Sequence, residues 1–191
     1  MKHSKKLTEQ RIKSKEIFNG NLLHVFSDDV RLPDGSTSSR EYIKHPGASA
    51  ILPVFENGDV MLVHQFRYPV GQIFYEVPAG KIDPGEDPGV TAERELEEET
   101  GLVCKQFKYI GHFYPSIGYT DEIIHLYLAW DIERTKQNID DDEFLVTERL
   151  PFREAVDMVH SGDISDGKSM ITILRAWKWW NEHEPFEIWI H

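Results

Sequence analysis

Glu95, Glu97, Glu98 and Glu99 stand between Arg94 and Thr100-Gly101. On a helix turning about 100° per residue, Glu95, Glu98 and Glu99 project from one face, because positions three and four apart are neighbours. Like charges stacked in this way repel each other. An arbitrary run of glutamates is most often a solvated face. Here no lysine occupies a spacing that would relieve the repulsion, and Arg94 alone cannot neutralise three carboxylates. A hard divalent cation with oxygen ligands, Mg²⁺ or Mn²⁺, would neutralise them and would accept pyrophosphate oxygens as further ligands.

The elements that must position these groups are legible around them. Residues 90–100 are rich in helix formers and stop at Gly101, a residue suited to a helix C-terminus. The extended piece IFYEVPAG leads in from the N-terminal side. Further upstream, residues 22–54 alternate in a strand-like way, broken by Pro33-Asp34-Gly35, and Asn57-Gly58 separates two apolar runs as a hairpin turn would. Downstream, strands are expected at about residues 106–114 and 122–130, followed by a polar acidic loop over 131–143. The short strand FLVTERL then leads into helices over about 151–160 and 167–181. Met170, Ile173, Leu174 and Trp177 recur at helical spacing and are expected in the core, and the C-terminal group Trp177, Trp179, Trp180 and Trp189 is expected to serve packing or an interface rather than a ligand site. Mixed sheet between helices in an α/β chain is the simplest architecture.

A length of 191 residues suits one domain of ordinary size. The single Cys104 can form no intramolecular disulfide, which points to a reducing compartment. The basic N-terminus lacks the apolar run of a secretory signal, and no stretch approaches membrane-spanning length. The default expectation is a cytoplasmic protein with no membrane partner. With 33 acidic and 21 basic side chains the net charge is -12, which makes nucleic acid an unfavourable partner. An anionic substrate would need the local field reversed, and carboxylate-held divalent cations do that.

Residues 80–102, GKIDPGEDPGVTAERELEEETGL, fill every fixed position of a known pattern: Gly80, Glu86, Arg94, Glu95, Glu98, Glu99 and Gly101, with apolar Leu96 and Leu102. At ordinary residue usage such a match arises by chance in roughly one sequence per ten million of this length. The segment resembles the Nudix box. The resemblance implies an α/β/α sandwich with mixed sheet, in which the box forms a loop, helix and loop. It also implies catalytic metal held by Glu95 and Glu99 as principal ligands, by Glu98 as an additional one, and by the carbonyl of Ala79. Arg94 would orient the glutamates, while Gly80 and Gly101 would let the chain turn into and out of the helix. The reaction implied is attack of water at phosphorus. Its base, in relatives acting on ADP-ribose, is a glutamate from a loop before a late strand. Glu143 is the first candidate in NIDDDEFLV, with Asp142 and Asp140 behind it.

Outside the box, REYIKHPGASAILPV, VHQFRYP, YEVPAGKID and FYPSIGYTDEIIHLYLA look like the ADP-ribose pyrophosphatase branch, as does Pro115. The resemblance puts Arg67 on the substrate phosphates, since a guanidinium fork matches a pyrophosphate, with Arg40 a weaker choice. It suggests Glu76 for water or substrate, and Ser116, Gly118 and Glu122 for the sugar side. Asp166-Gly167-Lys168 looks like the aspartate-any-lysine motif of the nucleoside diphosphate sugar hydrolases, although an N-cap aspartate with a solvated lysine is the plainer reading of so short a pattern. In those relatives Lys168 would reach a phosphate, across a dimer interface in one arrangement. The branch implies a small-molecule sugar nucleotide as substrate. It also implies a homodimer exchanging N-terminal antiparallel strands, with residues 1–47 as the dimerisation and substrate region and 48–191 as the hydrolase domain. Phe18 and Tyr42 are aromatic candidates for stacking on a base. A narrow ADP-ribose pyrophosphatase and a non-catalytic nucleotide sensor are the competing readings.

Overall fold

A computed structural model describes residues 4–137 and 144–183. The chain divides into two compact units. One comprises the residues up to Pro46 together with Ser116–Ile123, and the other comprises Gly47–Pro115 and the chain from Ile124 onward.

In the first unit, after a single helical turn α1 (Ser4–Leu7), three strands form an antiparallel sheet in the order β1 (Gln10–Asn19), β2 (His24–Arg31), β3 (Thr37–Lys44). The turn between β2 and β3 is the Pro33-Asp34-Gly35 segment, where Gly35 adopts φ 90° and its N–H donates to the Leu32 carbonyl. Residues 116–123 join this unit through hydrogen bonds. Ile43 N–H donates to the Tyr119 carbonyl at 2.8 Å, and His45 N–H donates to the Asp121 carboxylate at 2.9 Å. Every residue of β1 is exposed.

The second unit holds two sheets. A three-stranded antiparallel sheet has the order β10 (Leu145–Pro151), β5 (Asp59–Arg67), β6 (Gln72–Glu76). A mixed sheet has the order β7 (Ala79–Lys81), β4 (Ala48–Pro53), β9 (Ile124–Arg134), β8 (Leu102–Phe113), with β4 and β9 parallel and the other pairs antiparallel. Strand β4 is buried throughout, as a central strand covered on both faces must be. Its alternation sorts the layers: Ala50 and Leu52 join Leu126, Leu128, Ile173 and Trp180 in one cluster, while Ile51 joins Tyr127, Ala92 and Leu96 in the other. Helix α2 (Pro88–Thr100) supplies the second cluster; α3 (Phe152–Ser161) and α4 (Gly167–His183) supply the first. This is the α/β/α layering expected.

The tryptophans of α4 pack as expected. Trp177 and Trp180 meet Phe152, at ring separations of 5.0 and 6.4 Å, and Trp179 meets Trp130 at 5.3 Å. Trp189 lies outside the described residues. No described helix is long and apolar enough to cross a membrane.

Candidate functional site

The second unit brings together two groups of candidate residues, each built by neighbouring elements. The first is organised by α2. Asp87 caps its N-terminus by accepting the Gly89 N–H at 2.8 Å, and Pro88 occupies the first turn, where a missing N–H costs nothing. Gly101 ends the helix in the left-handed conformation, φ 64°, and its N–H donates to the Glu97 carbonyl. A side chain there would bring Cβ to 2.9 Å from the Gln137 nitrogen, so glycine is required on two grounds.

Of the helix carboxylates, Glu95 and Glu99 are buried, Glu98 is half-buried and Glu97 is exposed. Glu99 accepts the Ala79 N–H at 3.2 Å, which ties the helix to β7. Glu95 rests against Gly80 so closely that an added Cβ would lie 1.8 Å from its Oε1. This corrects the sequence-based reason for Gly80. The residue is not among the positive-φ glycines and makes no unusual turn; its missing side chain makes room for a carboxylate.

Arg94 is the hub of this group. Its Nη1 donates to Glu95 and to Glu98, both at 2.8 Å, its Nε to Glu86 at 3.1 Å, and its Nη2 to the Lys81 carbonyl and Glu86, both at 3.2 Å. Glu86 also accepts the Thr91 hydroxyl at 2.7 Å. The bonds from Arg94 and Thr91 hold the Glu86 carboxyl down to about 2 against an ordinary 4.5, and those carboxylates raise the Arg94 pKa in return. Sequence reading left Glu86 out of the site, although it fills a fixed box position. Its role as an anchor for Arg94 shows only in three dimensions.

The donor set suits a hard divalent ion: buried carboxylate oxygens of Glu95 and Glu99, the Glu98 carboxylate, and the neighbouring Ala79 carbonyl on β7. The absence of a side chain at Gly80 is a second fit, because it lets the Glu95 carboxylate lie against β7. Among the described residues no three acidic, histidine or cysteine side chains are already drawn into a ligating cluster, and Arg94 holds two of the glutamates.

The second group joins β5, β6 and α4. Arg67, at the end of β5, donates from Nε and Nη2 to the two oxygens of Glu76, each at 2.6 Å. Lys168 donates to Glu76 and, at 2.9 Å, to Asp166. Asp166 also accepts the Ser169 N–H at 3.0 Å and its hydroxyl at 2.6 Å, in the manner of a helix cap, and Ser169 in turn accepts the Val77 N–H at 2.9 Å. Burial pushes the Asp166 carboxyl up, but the Lys168 charge and these bonds leave it below its ordinary value. Arg67 is raised, chiefly by its bonds to Glu76 and against the effect of burial, with the charges of Asp166 and Glu99 also felt there.

The remaining candidates lie in the first unit. Arg40 pairs with Glu9 at 2.5 Å, the Ser116 carbonyl accepts N–H groups of Tyr119 and Thr120, and Glu122 lies 3.6 Å from His45. Gly118 faces open space within the chain. Tyr42 stacks on Phe26 at 5.6 Å and donates to Asp28, and Phe18 is exposed. Glu143, Asp142 and Asp140 lie outside the described residues.

Comparison with known proteins agrees with this architecture. The NUDIX domain model matches residues 44–171, and the model described as the nucleoside diphosphate sugar hydrolase N-terminal domain matches residues 9–43. The chain is 41% identical to the ADP-ribose pyrophosphatase of Bacillus subtilis over 88% of this chain and 92% of that protein. It is 32% identical to the GDP-mannose pyrophosphatase of Yersinia enterocolitica over 81% of this chain and 86% of that protein. A solved structure described as an ADP compounds hydrolase shares the fold with a TM-score of 0.82 at 19% identity, covering 92% of this chain and 96% of that one.

Proposed function

The chain belongs to the Nudix family of pyrophosphohydrolases, and from that premise we propose that it hydrolyses the diphosphate of nucleoside diphosphate sugars, ADP-ribose among them, with Mg²⁺ or Mn²⁺. Water attacks one phosphorus, the bridging P–O bond breaks, and a nucleoside monophosphate and a sugar phosphate leave. The observation that carries this reading is the burial of Glu95 and Glu99 on one face of α2, beside a glycine whose missing side chain makes room for the Glu95 carboxylate. Two relatives named for sugar nucleotides, together with an N-terminal match to a sugar hydrolase domain, support the substrate class.

Glu95, Glu98, Glu99 and the Ala79 carbonyl would hold the divalent ion, which supplies charge neutralisation and an activated water. Arg94 keeps Glu95 and Glu98 aligned. Arg67 and Lys168 take the diphosphate oxygens, a guanidinium fork and a point charge suited to that anion. Asp166 caps α4 beside Lys168. Glu143 accepts the proton of the attacking water, with Asp142 and Asp140 as the alternatives. Arg40, Ser116, Gly118 and Glu122 remain candidates for the nucleoside and sugar ends. A homodimer fits the wholly exposed β1, on which Ile12, Ile17 and Phe18 are each about half exposed; exposed apolar rows of this kind mark interaction surfaces.

The deciding experiment incubates the protein and Mg²⁺ with ADP-ribose, GDP-mannose, ADP-glucose, UDP-glucose and dGTP. Turnover of the sugar nucleotides is expected, and activity on dGTP alone would sink the assignment. A narrow ADP-ribose pyrophosphatase would leave GDP-mannose untouched.

A further inference from the structure

We propose that Glu76 is a positioning residue that never touches substrate, and that its buried carboxylate fixes Arg67 and Lys168 as one preorganised diphosphate clamp. The inference rests on the reading that those two cations meet the diphosphate, and it deepens that reading.

Glu76 closes β6 and is 2% exposed, the least accessible acidic side chain described. Both of its oxygens are taken, Oε1 by Arg67 Nε and Oε2 by Arg67 Nη2 and Lys168. A carboxylate so enclosed offers no face to a ligand. Its effect on the two cations is specific. It occupies the Nε and Nη2 edge of the guanidinium, leaving the Nη1 side for an outer anion, while the Arg67 side chain as a whole remains 42% exposed. The same carboxylate, with Asp166, fixes the ammonium of Lys168, which is itself largely buried.

Stability alone does not account for the arrangement. Buried ion pairs are often no more stabilising than well-packed apolar groups, because desolvation offsets the attraction. Four charged side chains, from β5, β6, α4 and the residue just before α4, are nevertheless gathered here, their formal charges summing to zero. A neutral cluster has two consequences. In the absence of substrate the cations do not repel each other apart, and a diphosphate arriving at the outer side meets donors that need not reorient. Side chains free to adopt other rotamers would lose that preorganisation on every binding event.

The test is kinetic, using ADP-ribose, GDP-mannose and Mg²⁺ with the full chain. Glu76→Gln is expected to raise KM on the order of 10- to 100-fold, as loss of preorganised geometry does, with a smaller change in kcat. Glu76→Asp, which retains the charge on a shorter arm, should fall between Gln and wild type, and it keeps the test usable if the amide variant folds poorly. In an Arg67→Ala/Lys168→Ala background, Glu76→Gln should add no further loss in KM, because the groups it positions are gone. A full additional loss in that background would overturn the proposal and make Glu76 a direct ligand. A lowered melting temperature with unchanged KM would overturn it in favour of a purely structural role. If Arg67→Ala and Lys168→Ala each leave KM unchanged, the phosphate assignment itself falls and this proposal falls with it. Impaired Arg67→Ala and Lys168→Ala beside an unaffected Glu76→Gln would overturn this proposal alone.

Discussion

The backbone of Gly80 passes so close to the Glu95 carboxylate that a methyl group at position 80 would lie 1.8 Å from Oε1 and 2.1 Å from Cδ. The nearest atoms all belong to the end of one flexible side chain, so the carboxylate is what must move. Gly80→Ala is therefore expected to cost activity more than stability. A fall in kcat/KM of about 10- to 100-fold, the range seen when groups supporting a metal site are disturbed, should accompany a nearly unchanged melting temperature. Unaltered kinetics and metal dependence would mean that the position of Glu95 is irrelevant to turnover.

Glu99 is the deepest of the helix carboxylates, 3% exposed and tied to the Ala79 N–H. Glu99→Gln retains the shape and a hydrogen-bond acceptor while removing the charge. Turnover should drop by at least about 100-fold, beyond the loss typical of an outer supporting group, with the circular dichroism spectrum unchanged. Near-normal turnover would refute the metal assignment.

Arg94 contacts Glu86, Glu95 and Glu98 with one planar fork. Lysine carries the charge but cannot reproduce three directions at once. Arg94→Lys should lower kcat/KM by about 10- to 100-fold and raise the metal concentration needed for half-maximal rate. Glu97→Gln, on the exposed side of the same helix, is the control and should behave as wild type. Equal effects in the two variants would remove Arg94 from its orienting role.

Acid sensitivity follows from Glu86. Its carboxyl is held at about 2, below its ordinary 4.5, chiefly by the bonds from Arg94 and Thr91. A depressed folded-state value contributes stability that is complete above about pH 4.5 and is lost as pH falls toward 2. Denaturant midpoints of wild type and Glu86→Gln should therefore differ at pH 7 by a gap that is smaller at pH 3 and closes only as pH falls toward 2. A gap of equal size at both pH values would show that the charge of Glu86 contributes nothing.

Sequence alone determined what is local or periodic. The α2 helix, its stop at Gly101, and the alignment of Glu95, Glu98 and Glu99 on one face follow from spacing and capping chemistry, while the α/β/α layering was implied by the resemblance of residues 80–102 to the Nudix box. Such features depend on a few neighbouring residues, and those are printed in order along the chain. Tertiary structure alone decided the rest. Glu76 and Lys168 are 92 residues apart, and only the meeting of β6 with the first turn of α4 makes them partners. Gly80 was legible as an obligatory glycine, but the reason, a carboxylate from the next helix, required the packing of α2 on β7. Residues 116–123 read as part of the larger domain, whereas hydrogen bonds to Ile43 and His45 group them with the N-terminal sheet. Periodicity records which face of an element is buried. Which distant element covers it, and which of its charges find partners there, is set by register and burial over the whole chain.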